Sequence, residues 1–226
     1  MKHPSPAAED YLKVIYGHTE WQPKPIGPSA LAARLGVAPS SVTEMVKKLA
    51  TAGLVTHTPY GPLTLTDAGY RRASAIVRRH RLIETWLVHE MGYRWDEVHD
   101  EAEVLEHSIS DRLVEAIEAR LRYPTRDPHG DLIPPADGVV APVSALLLAD
   151  ATRGDTGTVL RVSDRDSAML RDLAADSILP GTRLTVMGQL NVRLLSGEVR
   201  TLTPAMAESI WMALDGSMPP EMVKRA

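Results

Sequence analysis

The chain has 226 residues, a formal net charge of -4 and no cysteine. Disulfides, thiolate metal sites and cysteine nucleophiles are thereby excluded, and the total charge does not advertise a polyanion partner. The charge is unevenly spread: residues 1–72 carry eight Lys/Arg against five Asp/Glu, and residues 73–123 carry seven against eleven. A basic head on an acidic middle suits polyanion contact in the first part and cation binding in the second.

The start, Met1-Lys2-His3-Pro4-Ser5-Pro6, lacks an apolar leader core, and no 18-residue apolar run follows. A cytoplasmic protein without a membrane span is expected. Residues 7–18 predict a helix with Tyr11, Leu12, Ile15 and Tyr16 on its apolar face, and Pro23, Pro25 and Gly27 interrupt it. A short helix over 28–35 stops at Gly36. Ala38 and Pro39 form the turn, and Ser40 or Ser41 is expected to cap the next helix, which buries Val42, Met45, Val46 and Leu49 and ends near Thr51. Residues 54–57 and 63–66 are short β-branched runs around Pro59-Tyr60-Gly61-Pro62, expected as a hairpin. Helix, turn, helix and β-wing make a winged helix-turn-helix. Ala38, Pro39, Ser40, Ser41, Thr43, Glu44, Lys47 and Lys48 are its candidate DNA-facing residues, with small groups at the helix start for close approach and two lysines for backbone phosphates. Glu44 can accept from a cytosine amino group or remain a solvated residue.

Asp67 is expected to cap a long helix running to Met91, on which His80 and Glu84 lie one turn apart. A second helix is expected over 98–122. With His99 at 0° on a wheel of about 100° per residue, Glu103 falls near 40°, Glu106 near 340° and His107 near 80°. This stripe borders the apolar positions Val98, Ala102, Leu105, Ile109 and Leu113, so packing can position carboxylates and imidazoles toward one divalent cation. The two amphipathic helices are candidates for a two-fold dimer interface. The alternative is a solvated helix whose polar groups happen to align. Glu103, Glu106 and His107 also match half of a carboxylate di-metal oxidase site, but the chain lacks the matching Glu-x-x-His, and a non-enzymatic role is expected.

Several pieces occur in the order and spacing of one family: Glu9-Asp10-Tyr11-Leu12, Pro39-Ser40-Ser41-Val42-Thr43, Arg79-His80-Arg81-Leu82 with Glu84, Val98-His99-Asp100-Glu101-Ala102 with Glu106-His107, and Pro128-His129-Gly130-Asp131 with Ile133-Pro134. Residues 7–140 resemble the diphtheria toxin repressor family of metal-dependent transcriptional regulators. The resemblance implies one metal site from Asp10, Glu103, Glu106 and His107, and another from His80, Glu84 and His99. Asp166, or next to it Asp164, would complete the second site from the last domain. The iron-responsive branch carries methionine and cysteine where this chain has Asp10 and Glu103, which implies Mn(II), with Fe(II) as the alternative; carboxylates in place of soft sulfur favour a hard ion. Lys13 stands where short manganese regulators carry a Glu, which speaks for two separated sites rather than a binuclear centre. The implied function is a homodimeric Mn(II)-activated repressor of manganese uptake genes, bound to a double-stranded DNA operator as one or two dimers. A winged-helix sensor of a small molecule, with a structural polar stripe, is the remaining alternative.

Prolines 124, 128, 134, 135 and 142 mark a linker, and strands near 157–162, 183–187 and 199–202 with a helix over 167–175 resemble the family's SH3-like terminal barrel. The expected fold is mainly α over the N-terminal two-thirds, followed by this small β-barrel. The expected domains are residues 1–72 (DNA-binding), 73–141 (dimerisation and metal-binding) and 142–226 (SH3-like).

Overall fold

The structure is a computed structural model and describes residues 5–21, 24–58, 61–136, 138, 143–188 and 190–216. Met1 to Pro4, Pro23, Pro59, Tyr60 and Pro142 lie outside the described residues. The chain divides into two compact units. The first is Met1–His80 with Glu106–Ile109 and Pro134–Val140; the second is Arg81–Leu105, Ser110–Ile133 and Ala141–Ala226.

In the first unit, α1 (Pro6–Trp21) buries Tyr11, Leu12, Ile15 and Tyr16, α2 (Pro28–Leu35) buries Leu31 and Ala32, and α3 (Pro39–Thr51) buries Val42, Val46 and Leu49. These side chains form one core with Ile26, Val55, Leu63, Ala73, Ile76 and Val77. Gly36 ends α2 in the left-handed region at φ 64°, its N–H returning to Ala32 and Ala33. The expected serine cap of α3 is absent. Ala38 is the N-cap, in extended conformation and without a side-chain bond, and Pro39 is the first helical residue. Proline suits that position because its φ is already helical and its missing N–H would have had no partner there. The Ser40 and Ser41 side chains are therefore not spent on capping.

Strands β1 (Val55–His57) and β2 (Leu63–Leu65) pair antiparallel with Thr56 opposite Thr64. The first-unit part of α4 (Asp67–Met91) follows. Its cap is Thr66 rather than Asp67, since Thr66 Oγ1 accepts from the Gly69 N–H at 3.0 Å.

The expected helix over 98–122 is two helices, α5 (Val98–Glu106), whose last residue belongs to the first unit, and α6 (Asp111–Arg120) of the second. Ser110 is extended and its side chain accepts from the Leu113 N–H, so it starts a new helix instead of continuing the old one. His107 consequently leaves the helical wheel. Leu113, expected inward, is 43% exposed. Strands β3 (Leu146–Leu147), β4 (Thr156–Val162), β5 (Arg183–Gly188), β6 (Asn191–Leu194), β7 (Val199–Thr201) and β8 (Ile210–Leu214) form an antiparallel sheet in the order β3-β8-β4-β5-β6-β7. A core of Val159, Val162, Leu170, Leu173, Ile178, Leu184, Ile210 and Met212 lies beneath it, closed by α7 (Ser167–Ala175).

The loop before the sheet is docked onto β4. Val162 N–H donates to the His129 carbonyl at 2.9 Å. Gly130 has φ +90°, and a Cβ there would lie 2.0 Å from the Leu160 carbonyl oxygen. Gly130→Ala therefore combines left-handed strain with a backbone clash, and should cost at least about 2 kcal/mol. A thermal melt of the metal-free variant measures it; an unchanged midpoint would mean that the loop is not held against β4 as described.

Candidate metal centres

The first centre lies wholly in the first unit. Asp10 projects from α1, and Glu106 with His107 comes from the stretch where α5 ends. One donor atom of each lies within 4.8 Å of the others. His107 Nδ1 faces Glu9 Oε2 at 3.1 Å, and its Nε2 faces Asp10 Oδ1 at 3.0 Å and Glu106 Oε1 at 3.4 Å. When Nδ1–H donates to Glu9, the Nε2 lone pair points at two carboxylates. That juxtaposition calls for a positive centre between them, and an oxygen acceptor behind a ligating imidazole is the usual support of a metal-bound histidine. Glu106 is only 1% exposed. Its other oxygen meets His80 Nδ1 at 2.5 Å, and Lys13 Nζ reaches Oε1 at 2.6 Å. Burial would raise the Glu106 pKa, but the His80 hydrogen bond and the charges of His80 and Lys13 outweigh it and hold the carboxylate below its ordinary value.

The second centre lies wholly in the second unit and is built around Glu84, which is fully buried. Glu84 Oε1 is 3.2 Å from His99 Nδ1, and the same nitrogen is 3.2 Å from Asp164 Oδ2. Glu84 Oε2 is 3.8 Å from His129 Nδ1, and Asp127 joins Glu84 and His129 in one donor group. His129 is 0% exposed. Its Nε2–H donates to the Trp95 carbonyl at 2.7 Å, while Nδ1 faces Glu84 Oε2 from 3.8 Å, beyond hydrogen-bond distance, and has no closer acceptor among the described residues. A buried imidazole nitrogen that faces carboxylates across such a gap suits a metal ligand.

Without an ion, protons neutralise this second group. Burial works against charge on His99, but the Asp164 and Glu84 hydrogen bonds prevail and carry its pKa up to about 11. Burial likewise opposes charge on His129, and Glu84 with its neighbouring carboxylates takes it up to about 10. Burial, then the charges of Asp131 and Glu84, push Asp127 up to about 8. Asp164 is desolvated too, yet His99 and His129 hold it well below the usual carboxylate range. A divalent cation would take the place of these protons.

Behind the donors is a buried ionic frame. Asp127 Oδ1 accepts from the His129 and Asp131 N–H groups, both at 2.9 Å. Arg81 donates to the Leu132 carbonyl at 2.6 Å and lies 3.5 Å from Asp127 and 3.6 Å from Asp131. Arg161 on β4 meets Asp131 at 2.9 Å.

The expected donors are placed as follows. Asp10, Glu106 and His107 meet in the first unit, with His80 against Glu106. Glu103 belongs to the second unit, with Oε1 3.4 Å from His99 Nε2. Glu84 and His99 meet as expected neighbours. Asp166, the favoured ligand from the last domain, is exposed and is the N-cap of α7, accepting from the Ala168 and Met169 N–H groups. Its carboxylate is committed to the helix start, and Asp164 is the residue that meets His99. Asp127 and His129 were missed as donors, although the dense polar run Asp127-Pro128-His129-Gly130-Asp131 within a proline-marked linker was a visible signal. On α3, Ala38, Pro39, Ser40, Ser41, Thr43, Glu44, Lys47 and Lys48 are all exposed, and the Thr43 hydroxyl donates back to the Pro39 carbonyl at 3.1 Å.

Known proteins carry the same plan. Residues 4–63 match the model of the iron dependent repressor N-terminal DNA binding domain, residues 66–135 that of the iron dependent repressor metal binding and dimerisation domain, and residues 146–213 the FeoA domain. A solved manganese-dependent transcriptional repressor in complex with manganese is 49% identical with a TM-score of 0.87, over 92% of this chain and 99% of that one. The HTH-type transcriptional regulator MntR of Oceanobacillus iheyensis is 33% identical over 120 residues, which cover 53% of this chain and 80% of that protein. The chain belongs to the iron-dependent repressor family of metal-dependent transcriptional regulators. Its iron-dependent relatives include IdeR of Mycobacterium leprae, 29% identical over 219 residues, 89% of this chain and 94% of that one.

Within this family's domain plan, Glu84, His99, Asp127 and His129 fall in the metal binding and dimerisation region, and Asp164 falls in the FeoA domain. The two acidic candidates of that domain separate experimentally. Asp164→Ala should abolish ion uptake by the second centre. Asp166→Ala should lose one helix cap, about 1 kcal/mol, and leave metal affinity unchanged. Calorimetric Mn(II) titration with parallel melts reads both, and equal metal loss in the two variants would contradict this assignment.

Proposed function

We propose that this protein is a Mn(II)-activated, homodimeric DNA-binding repressor that controls manganese uptake genes. The observation that carries the reading is the convergence of Asp10, Glu106 and His107. Every donor in both centres is a carboxylate oxygen or an imidazole nitrogen, a set suited to Mn(II) that also accepts Fe(II). The similarity to a repressor solved with manganese and to MntR favours Mn(II); the similarity to IdeR keeps Fe(II) as the second reading.

Asp10, Glu106 and His107 would hold the activating ion, which supplies positive charge where Nε2 and two carboxylates converge. Asp10 and His107 stand 97 residues apart in sequence. Joined, they pin α1 to the stretch after α5. Because α1 shares its core with α2 and α3, pinning it fixes part of the frame that presents the recognition helix, and ordering completed before DNA arrives raises DNA affinity. Ser40 and Ser41, at the exposed α3 start where the helix N-terminus favours phosphate, and the exposed Lys47 and Lys48, toward its C-terminal end, would supply groove-edge and phosphate contacts. Val104 on α5 and Leu113 on α6, 68% and 43% exposed, are apolar positions that a second copy would cover.

The test is fluorescence anisotropy on DNA selected from a random pool with the chelated protein plus Mn(II). Wild type should bind tightly only with Mn(II), and Asp10→Ala should lose at least about tenfold in Mn-dependent affinity, a coupling of more than about 1.4 kcal/mol. It should keep the weak, salt-sensitive non-specific binding. Equal Mn-dependent affinity in the variant would overturn the role of the first centre, and activation by Fe(II) but not Mn(II) would select the second reading.

A further inference from the structure

Glu106 in the first centre is already compensated on both oxygens. Oε1 takes the Lys13 ammonium at 2.6 Å and Oε2 takes His80 Nδ1 at 2.5 Å. Oε1 is also the oxygen that faces His107 Nε2 at 3.4 Å, so the atom that points into the donor group is the one Lys13 holds. Lys13 lies three residues after Asp10 on α1, and residues at that spacing share a helix face. The same face of one helix thus brings both a ligand and a cation to the centre. The Lys13 side chain is 14% exposed and that of Glu106 is 0% exposed. The anion is locked in place, while the cation sits on a flexible four-carbon stem with an edge toward water. Other charged groups close by are Glu9, which meets His107, Arg72, which lies 3.5 Å from Glu9, and Arg79, whose guanidinium donates to the Glu106 carbonyl at 3.2 Å.

We propose that Lys13 is an internal counter-cation that occupies Glu106 until a divalent ion displaces it, and so sets the ion concentration at which the first centre fills. This rests on the metal-binding reading of that centre. A buried carboxylate cannot stay uncompensated, so in the metal-free chain Lys13 lowers the cost of keeping Glu106 ionised. An incoming ion must break that pair and then bear the repulsion of the ammonium left nearby. Both effects weaken ion binding relative to a chain with no charge at position 13. The centre is thereby held off from filling at ion levels that Asp10, Glu106 and His107 alone would satisfy.

The experiment is Mn(II) titration of the chelated full chain, read as loss of the free-ion electron paramagnetic resonance signal, in an Asp164→Ala background that leaves the first centre to be seen alone. Lys13→Met should bind Mn(II) roughly tenfold or more tightly than its parent, and Lys13→Arg, which keeps the charge, should stay near the parent. In melts, Lys13→Met should lower the metal-free midpoint and lose that deficit once Mn(II) is bound; a merely structural lysine would lower both midpoints equally. Lys13→Gln serves the same purpose if Lys13→Met does not fold. Affinity in the neutral variants equal to or weaker than the parent's overturns the counter-cation role while leaving the metal centre standing. An Asp10→Ala variant that still takes up Mn(II) as the parent does overturns the centre itself, and the proposal with it.

Discussion

Two buried carboxylates govern this molecule. Glu106 in the first unit and Glu84 in the second are 1% and 0% exposed, and neither can remain charged without positive charge brought to it. Each is surrounded by groups that serve this need: His80 and Lys13 at Glu106, and His99 and His129 at Glu84. A divalent ion answers the same demand with more charge in less space. The ion-free protein is thus a folded chain whose internal cations and protons hold places that a metal can take.

The surrounding fold presents donors rather than merely burying them. Ser110 starts α6 as a separate helix, which leaves His107 in the break after α5, within reach of Asp10. Gly130 lets the 127–131 loop lie against β4, where the His129 carbonyl is hydrogen-bonded and Arg161 meets Asp131. The imidazoles of His107 and His129 each place one nitrogen against an oxygen acceptor, Glu9 and the Trp95 carbonyl respectively, which leaves the other nitrogen facing carboxylates. Proline at the start of α3 plays a parallel part, because the helix begins without using the exposed side chains of Ser40 and Ser41.

What was legible in the sequence was what repeats. Tyr11, Leu12, Ile15 and Tyr16 outline α1, Val42, Val46 and Leu49 outline α3, and α7 runs from Ser167 to Ala175 as its composition suggests. Boundaries were less legible, because several residues could cap each helix. Thr66 rather than Asp67, and Ala38–Pro39 rather than a serine, do so here. The first centre was legible in residue type, yet its helical wheel carried His107 one residue past the end of α5. The second centre was only half legible. Asp127 and His129 lie in a loop with no period to reveal them, and Asp164 and Asp166 are indistinguishable until one is seen to cap α7.

If these carboxylate and imidazole groups form sites for a specific divalent ion, that ion must stabilise the folded chain. The most direct measurement is the melting midpoint of the chelated protein with Mn(II) against the same titration with Mg(II). An ion that binds only the folded state stabilises it by roughly 2.7 kcal/mol at a hundredfold excess over its dissociation constant. A saturable upward shift is expected with Mn(II), absent with Mg(II) and lost when Glu106 and Glu84 are both replaced by Gln. A midpoint that does not move with Mn(II), Fe(II) or Zn(II) would show instead that the two buried carboxylates are structural ion pairs and not parts of metal sites.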